Sequence, residues 1–281
     1  MSPDVLQERT EPRPNPRQEQ AAGVRHVSRL RSQSQRWSRG LIGVVLLAFI
    51  WEVAPRIGLL DAHFVPPLSH VLDTWWMLLS NGQLVEHLQA SLVRSIAGFG
   101  LAIATAVPLG AAIAWYPPVR QLFTPVLEIF RNTAALAILP VFVLVLGIGE
   151  TSKIGIVLYA CFFPILLNTI SGVSEVDPQL LRSARVLGMS PVRTFQKVVF
   201  PAAVPTIFTG IRISGASAIL VLIAAEMIGA TEGLGFLINY SQMNFLIPQM
   251  YAAILTTSLV GLVVNFGLVA LERRFSRWRA R

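Results

Sequence analysis

Few side chains in this sequence combine a reactive type with an unusual position, and they fall into three groups. Glu226 is the acidic residue set deepest in an apolar run, within Ala224-Ala225-Glu226-Met227. A carboxylate at membrane depth costs about a few kcal/mol unless it is paired or wet. It therefore marks either a solute path or gate, or an acceptor for a neighbouring helix's backbone or hydroxyl. Asn168, Thr169 and Ser171 are polar residues in another apolar run, suited to lining a path or to bonding between helices. The third group is cationic: Arg182, Arg185, Arg193 and Lys197 gather between two strongly apolar stretches.

Enzymatic chemistry finds no foothold. No glycine is followed by lysine, so a phosphate-cradling P-loop is absent, and the G-x-S-x-G serine turn occurs nowhere. Cys161 is the sole cysteine, which excludes disulfides, multi-cysteine zinc sites and thiol redox pairs within one chain. His26, His63, His70 and His87 lie outside the apolar runs without metal-ligand spacing, and each reads as a solvated histidine. We assign no catalytic residue, no metal and no cofactor to the chain.

The elements that must position these residues begin with Asp177 to Pro201, DPQLLRSARVLGMSPVRTFQKVVFP. Asp177 before Pro178 predicts a helix start, because the carboxylate can accept from free N–H groups and proline suits the first helical position. Leu180, Ala184 and Leu187 then form one apolar stripe, with Arg182 and Arg185 off it. Gly188 suits the left-handed turn that ends the helix. Ser190-Pro191 starts a second helix, with Val192, Phe195 and Val199 at helical spacing, and Pro201 is expected to end it.

With 53% hydrophobic and 14% charged residues, the 281-residue chain is expected to be an all-α integral membrane protein. Six spans fit: Gly40 to about Val53, Ile96 to Trp115, Thr133 to Leu146 and beyond, Ile154 to Ile170, Ala203 to Ile228, and Tyr251 to Leu271. Glu52 and Arg56 pair at the far end of the first span, and Glu128 and Arg131 before the third. Val71 to Leu79, with Trp75 and Trp76, reads as a helix lying at the membrane surface. Gly98, Gly100 and Gly110 allow close helix approach in lipid. Arg212 is expected to snorkel to the inner surface.

Charge fixes the expected orientation. The net charge of +8 comes mostly from arginines in the tails and the central segment. Ile57 to Ser91 and Gly229 to Pro248 contain no Lys or Arg, which places them outside. Arg94 and Lys153 are exceptions assigned near the outer surface, the latter beside Glu150. Residues 1–39 form an expected disordered basic tail, 40–272 the membrane domain and 273–281 a second basic tail, with both tails and the 177–201 segment cytoplasmic. The basic residues flank apolar spans, so anionic lipid is the expected contact and nucleic acid is not.

The 177–201 segment resembles the coupling motif of ATP-binding-cassette importer permeases: EAA, three residues, Gly, nine residues, I-x-L-P. Arg182-Ser183-Ala184 stand at the EAA position, with Arg182 replacing glutamate. Gly188 matches the glycine, and Val198, Phe200 and Pro201 match the closing residues in type. Leu136 to Ile154, Phe162 to Val173 and Ala224 to Ile238 resemble the nitrate, sulfonate and taurine branch, and the likeness spans roughly Ser91 to Arg274.

That resemblance implies a six-helix type I importer permease, acting as a homodimer with separate ATPase subunits that bind the ATP and an extracytoplasmic solute-binding protein. It makes Arg182, Ser183, Ala184, Arg185, Gly188 and Pro201 the ATPase-coupling residues. Glu226, Asn168 and Gly233 are candidates for the translocation path or gate. Gly229, Gly233 and Gly235 would form an outer gate beside the binding protein, or a simple exit loop. A small anion, an alkanesulfonate, taurine or nitrate-like solute, is the implied cargo. The alternative, an ion-gradient-driven transporter, calls for intramembrane ionisable relays and an inverted repeat; Glu226 is the one deep acid and no repeat is evident.

Overall fold

Three long helices packed through small residues form the centre of the molecule. The computed structural model describes residues 42–131 and 133–276, in two units, Met1–Leu68 and Ser69–Arg281. Most of the predicted basic tails, residues 1–41 and 277–281, lies outside the described residues. In the first unit, α1 covers residues 42–56, within the expected first span and its extension. Glu52 and Arg56 pair one turn apart, as their spacing predicts, and the Trp51 indole N–H donates to the Pro66 carbonyl at 3.2 Å.

The second unit contains α2 (Leu68–Ser80), α3 (Gln83–Trp115), α4 (Pro117–Arg131), a 3-10 turn (Ala135–Ile138), α5 (Leu139–Leu146) and α6 (Glu150–Ser174). There follow α7 (Pro178–Val186), α8 (Pro191–Thr194), a π-turn (Phe195–Val199), α9 (Phe200–Glu226), α10 (Leu234–Met243) and α11 (Ile247–Ser276). The predicted surface helix is α2, with Val71 and Leu78 buried. It is also bolted to a span, because the Trp75 indole donates to Thr256 Oγ1 of α11 at 3.0 Å.

Glycines set the register of the centre. A Cβ on Gly98 would lie 2.7 Å from Val157 Cβ, and one on Gly110 would lie 2.9 Å from Thr169 Cβ. Both contacts advance together along α3 and α6, so these helices run parallel at backbone-to-side-chain distance. Against α6, Gly172 meets Thr206 while Asn168 meets Gly210, so α9 runs antiparallel. Ala102, Ala106, Val157, Cys161, Ile165 and Ala203 are fully buried between the three helices.

Parallel α3 and α6 require the chain to cross back between them. α4 with the 3-10 turn and α5 makes that return, bent by 82° at the break. The expected continuous third span is therefore a broken one. The break lies between Phe130 and Ala135, where Ala134 takes an extended conformation, φ −66° and ψ 120°, that interrupts the helical ladder before Ala135. Four other helices among the described residues are long and apolar enough to cross a bilayer, and the bent pair makes a fifth.

Two boundaries differ from the expected ones. α3 begins at Gln83 instead of Ile96, so it carries Ser91 and Arg94 on its first turns. Pro201 does not end a helix: Pro191–Glu226 is one 36-residue span. The π-turn absorbs the proline, with the Phe200 N–H donating to the Phe195 carbonyl just before the residue that has no N–H. Arg212 is ion-paired with Glu272 of α11 at 3.0 Å instead of reaching alone for the surface.

Candidate functional site

The 177–201 segment, expected to couple to an ATPase, is built from caps. The Asp177 carboxylate accepts from the Gln179 N–H at 2.7 Å, and Pro178 occupies the first turn of α7. At the other end Gly188 takes φ 66°. The Met189 N–H donates to the Ala184 carbonyl at 3.1 Å and the Gly188 N–H to the Arg185 carbonyl at 3.0 Å. These are the paired bonds of a Schellman stop, which needs a left-handed residue that glycine adopts without strain. Ser190 Oγ accepts from the Arg193 N–H at 3.4 Å to start α8.

What this segment shows to solvent differs from the expected stripe. Ala184 is buried and Leu181 packs on the core, while Leu180 is 46% and Leu187 77% exposed. Leu187 caps the helix and so leaves the helical phase, and Leu181 takes the inward place one residue after Leu180. Arg182, Ser183, Arg185 and Gly188 are exposed beside Leu187 and Val186, the latter at 87%. The result is a short helix rooted by two residues, with a mixed basic and apolar face that nothing among the described residues covers. Trp115 at the end of α3 meets Phe195 edge-on at 5.1 Å, which ties the segment to the central helices.

At the opposite ends of α6 and α9 lies a buried ionic cluster centred on Arg94, which is 1% exposed. Its Nη1 donates to Glu226 Oε1 at 2.9 Å and to the Glu232 carbonyl at 2.7 Å. Its Nη2 donates to Glu150 Oε1 at 2.7 Å and to Glu232 Oε1 at 3.1 Å, and Nε completes a bidentate pair with Glu150. Glu226 also accepts from the Ser91 hydroxyl and, through Oε2, from the Gly235 N–H at 2.9 Å. Each oxygen of this carboxylate has donors that replace water.

Glycines admit this arrangement. Gly233 has φ 118°, and a Cβ there would sit 2.5 Å from the Glu226 carboxyl carbon. A Cβ on Gly235 would sit 2.2 Å from the Ile223 carbonyl oxygen. Lys153, also buried, donates to the Gly149 carbonyl at 3.1 Å and reaches the Gly229 carbonyl at 3.5 Å.

The structure thus brings Glu226 and Gly233 together and keeps both apart from the coupling residues. Asn168 sits in the last third of α6, toward the 177–201 segment, where its amide donates to the Pro164 carbonyl at 2.8 Å. It borders an open cavity of about 370 Å³ lined by Phe163, Pro164, Leu167, Asn168 and Ser171. Sequence reasoning missed Arg94, Lys153, Ser91 and His87 as buried partners, having assigned the two cations to the outer surface. One signal was available: His87, Ser91 and Arg94 fall at i, i+4 and i+7, a polar stripe on a helix that becomes apolar beyond it.

Comparison with known proteins accounts for this architecture. Residues 106–277 match the family described as binding-protein-dependent transport system inner membrane component. The taurine transport system permease protein TauC of Escherichia coli K12 is 34% identical over 239 residues, 83% of this chain and 86% of that protein. The putative aliphatic sulfonates transport permease protein SsuC of Bacillus subtilis 168 is 32% identical over 247 residues, 86% of this chain and 88% of its own length. Among solved structures, an inward-facing MetNI methionine ABC transporter chain aligns with a TM-score of 0.60 at 16% identity, covering 71% of this chain and 96% of that one. A helix–glycine–helix segment at one end of an all-helical, membrane-spanning pattern, with family identity over most of the length, identifies this chain as a member of the binding-protein-dependent ABC importer permeases of the nitrate, sulfonate and taurine type.

Proposed function

We propose that this chain is the membrane-spanning subunit of an ATP-driven importer for a small organosulfonate, and that it carries no ATPase of its own. The observation that supports this most is the coupling face: Arg182, Arg185, Val186 and Leu187, exposed on a capped helix that is rooted by Leu181 and Ala184. An apolar pair of that exposure at the tip of a basic helix fits a groove in a separate ATPase subunit. The positive charge of this segment and the tails, against Lys- and Arg-free segments elsewhere, orients the coupling end and both termini to the cytoplasm in an inner membrane. α11 leaves most of its apolar surface uncovered within one chain, which supports a symmetric dimer with lipid around it. An extracytoplasmic binding protein would present the solute at the Arg94 end.

The solute class follows from the relatives, whose names include taurine and aliphatic sulfonates. The test is growth of a strain lacking the gene, on sulfonates as sole sulfur source and nitrate as sole nitrogen source. Failure on sulfonates alone, restored by the gene, is the expected result. Failure on nitrate alone would move the cargo to the nitrate branch, and growth on both would overturn the sulfonate assignment.

A further inference from the structure

α9 links the two ends of the molecule in one piece. With α8 and the π-turn it forms a 36-residue span, roughly 54 Å at 1.5 Å per residue. Any displacement of the coupling segment is therefore delivered near Glu226. Beyond Glu226 the chain from Gly229 to Gly233 leaves the helix through two left-handed glycines, with φ 69° and 118°. Its backbone is held mainly by side chains from other elements. Arg94 takes the Glu232 carbonyl, Lys153 reaches the Gly229 carbonyl, and His87 Nδ1 accepts from the Gly233 N–H at 3.2 Å. The Leu234 N–H donates to Ser91 Oγ at 2.8 Å.

We propose that Arg94 is a positioning residue that clamps the 227–233 loop to α3 and α6, so that motion of the coupling segment reaches this loop through α9 and moves it as a gate. The inference rests on the ATP-driven importer reading above. Neutralising Glu226 would require one cation and one contact. Arg94 instead gathers acceptors from α6, the end of α9 and the loop, and two of its carboxylate partners, Glu150 and Glu232, are 58% and 46% exposed. Half-exposed carboxylates need no buried partner for their own solvation. Their convergence on one planar, five-donor guanidinium is what joining separate segments requires. A lysine at this place would keep the charge and lose the fork.

The test uses the complete transporter in membrane vesicles, with Thr231→Cys as reporter in a Cys161→Ala background. Thr231 is exposed in the loop and Cys161 is the chain's only, buried, native cysteine. The readout is the rate of maleimide labelling with and without ATP and vanadate, alongside ATP hydrolysis. The clamp predicts an ATP-dependent change of about tenfold in the reporter chain. Arg94→Met should abolish it in assembled complexes that still hydrolyse ATP, and Arg94→Lys should restore only part. Glu150→Gln, which leaves the buried Arg94–Glu226 pair intact and so keeps folding safe, should reduce the change about threefold. An unaltered ATP-dependent change in both Arg94→Met and Glu150→Gln would overturn the clamp. So would a Thr231 site insensitive to ATP in a reporter complex that hydrolyses it. A complex without ATP hydrolysis would instead refute the importer reading, and the clamp with it.

Discussion

The two ends of this molecule solve opposite problems with charge. At the coupling end the cations Arg182 and Arg185 are exposed and form no ion pair among the described residues, next to apolar side chains that stay uncovered there. At the far end Arg94 and Lys153 are buried, and Arg94 is surrounded by three carboxylates. An end that satisfies its charges internally holds itself together. An end that leaves basic and apolar groups open fits the ATPase-docking surface proposed above. The same contrast appears in how each is built: local caps within a dozen residues at one end, and bonds between residues more than a hundred positions apart at the other.

The contrast can be broken at the far end with the largest effect. Glu226→Ala should remove the central acceptor and lower stability by about 3 kcal/mol, because Arg94 would stay buried with its nearest buried partner gone. Thermal unfolding of the purified protein in detergent should show the drop. Glu226→Gln should lose less, since its oxygen can still accept from Ser91 and Arg94. Gly233→Ala comes next. It combines φ 118° with a methyl 2.5 Å from the Glu226 carboxyl carbon, which should cost about 2 kcal/mol in the same assay. A Tm equal to the parent's would show that the loop repacks freely.

The coupling end should respond differently, in function before stability. At Gly188 a Cβ meets nothing within 4 Å, so Gly188→Val acts through its φ of +66° alone. It should strain the turn by about 1–2 kcal/mol and leave insertion normal while ATP-driven uptake fails. Asp177→Ala removes one cap bond and should cost about 1 kcal/mol, seen as faster proteolysis of the 177–190 segment with uptake only modestly lowered. If Asp177→Ala proved as damaging as Glu226→Ala, the division between the two ends would not hold.

The same division explains what was legible in the sequence. Asp177-Pro178, Gly188 and Ser190-Pro191 announce their own geometry, because a cap and a stop are decided within four residues. Span positions were legible from apolar runs, yet the third was not, since a run records burial in lipid and says nothing of the bend between Phe130 and Ala135. The Pro201 boundary failed because a proline's missing donor can be absorbed by one π-turn. Arg94 was misplaced for a related reason: charge patterning along a chain reports sides of a membrane, while burial depends on Glu226, a partner brought near only by the packing of α3 against α9. Glu226 itself was legible as unusual, and its hydroxyl and backbone donors are those of the acceptor role read from its depth.

The most direct test of the central claim is solute uptake into vesicles carrying this chain with its ATPase and binding protein, comparing parent and Gly188→Val at matched insertion. Uptake of taurine that needs ATP, survives collapse of the proton gradient and vanishes in Gly188→Val is the predicted result. Uptake that persists without ATP and stops when the gradient collapses would contradict it.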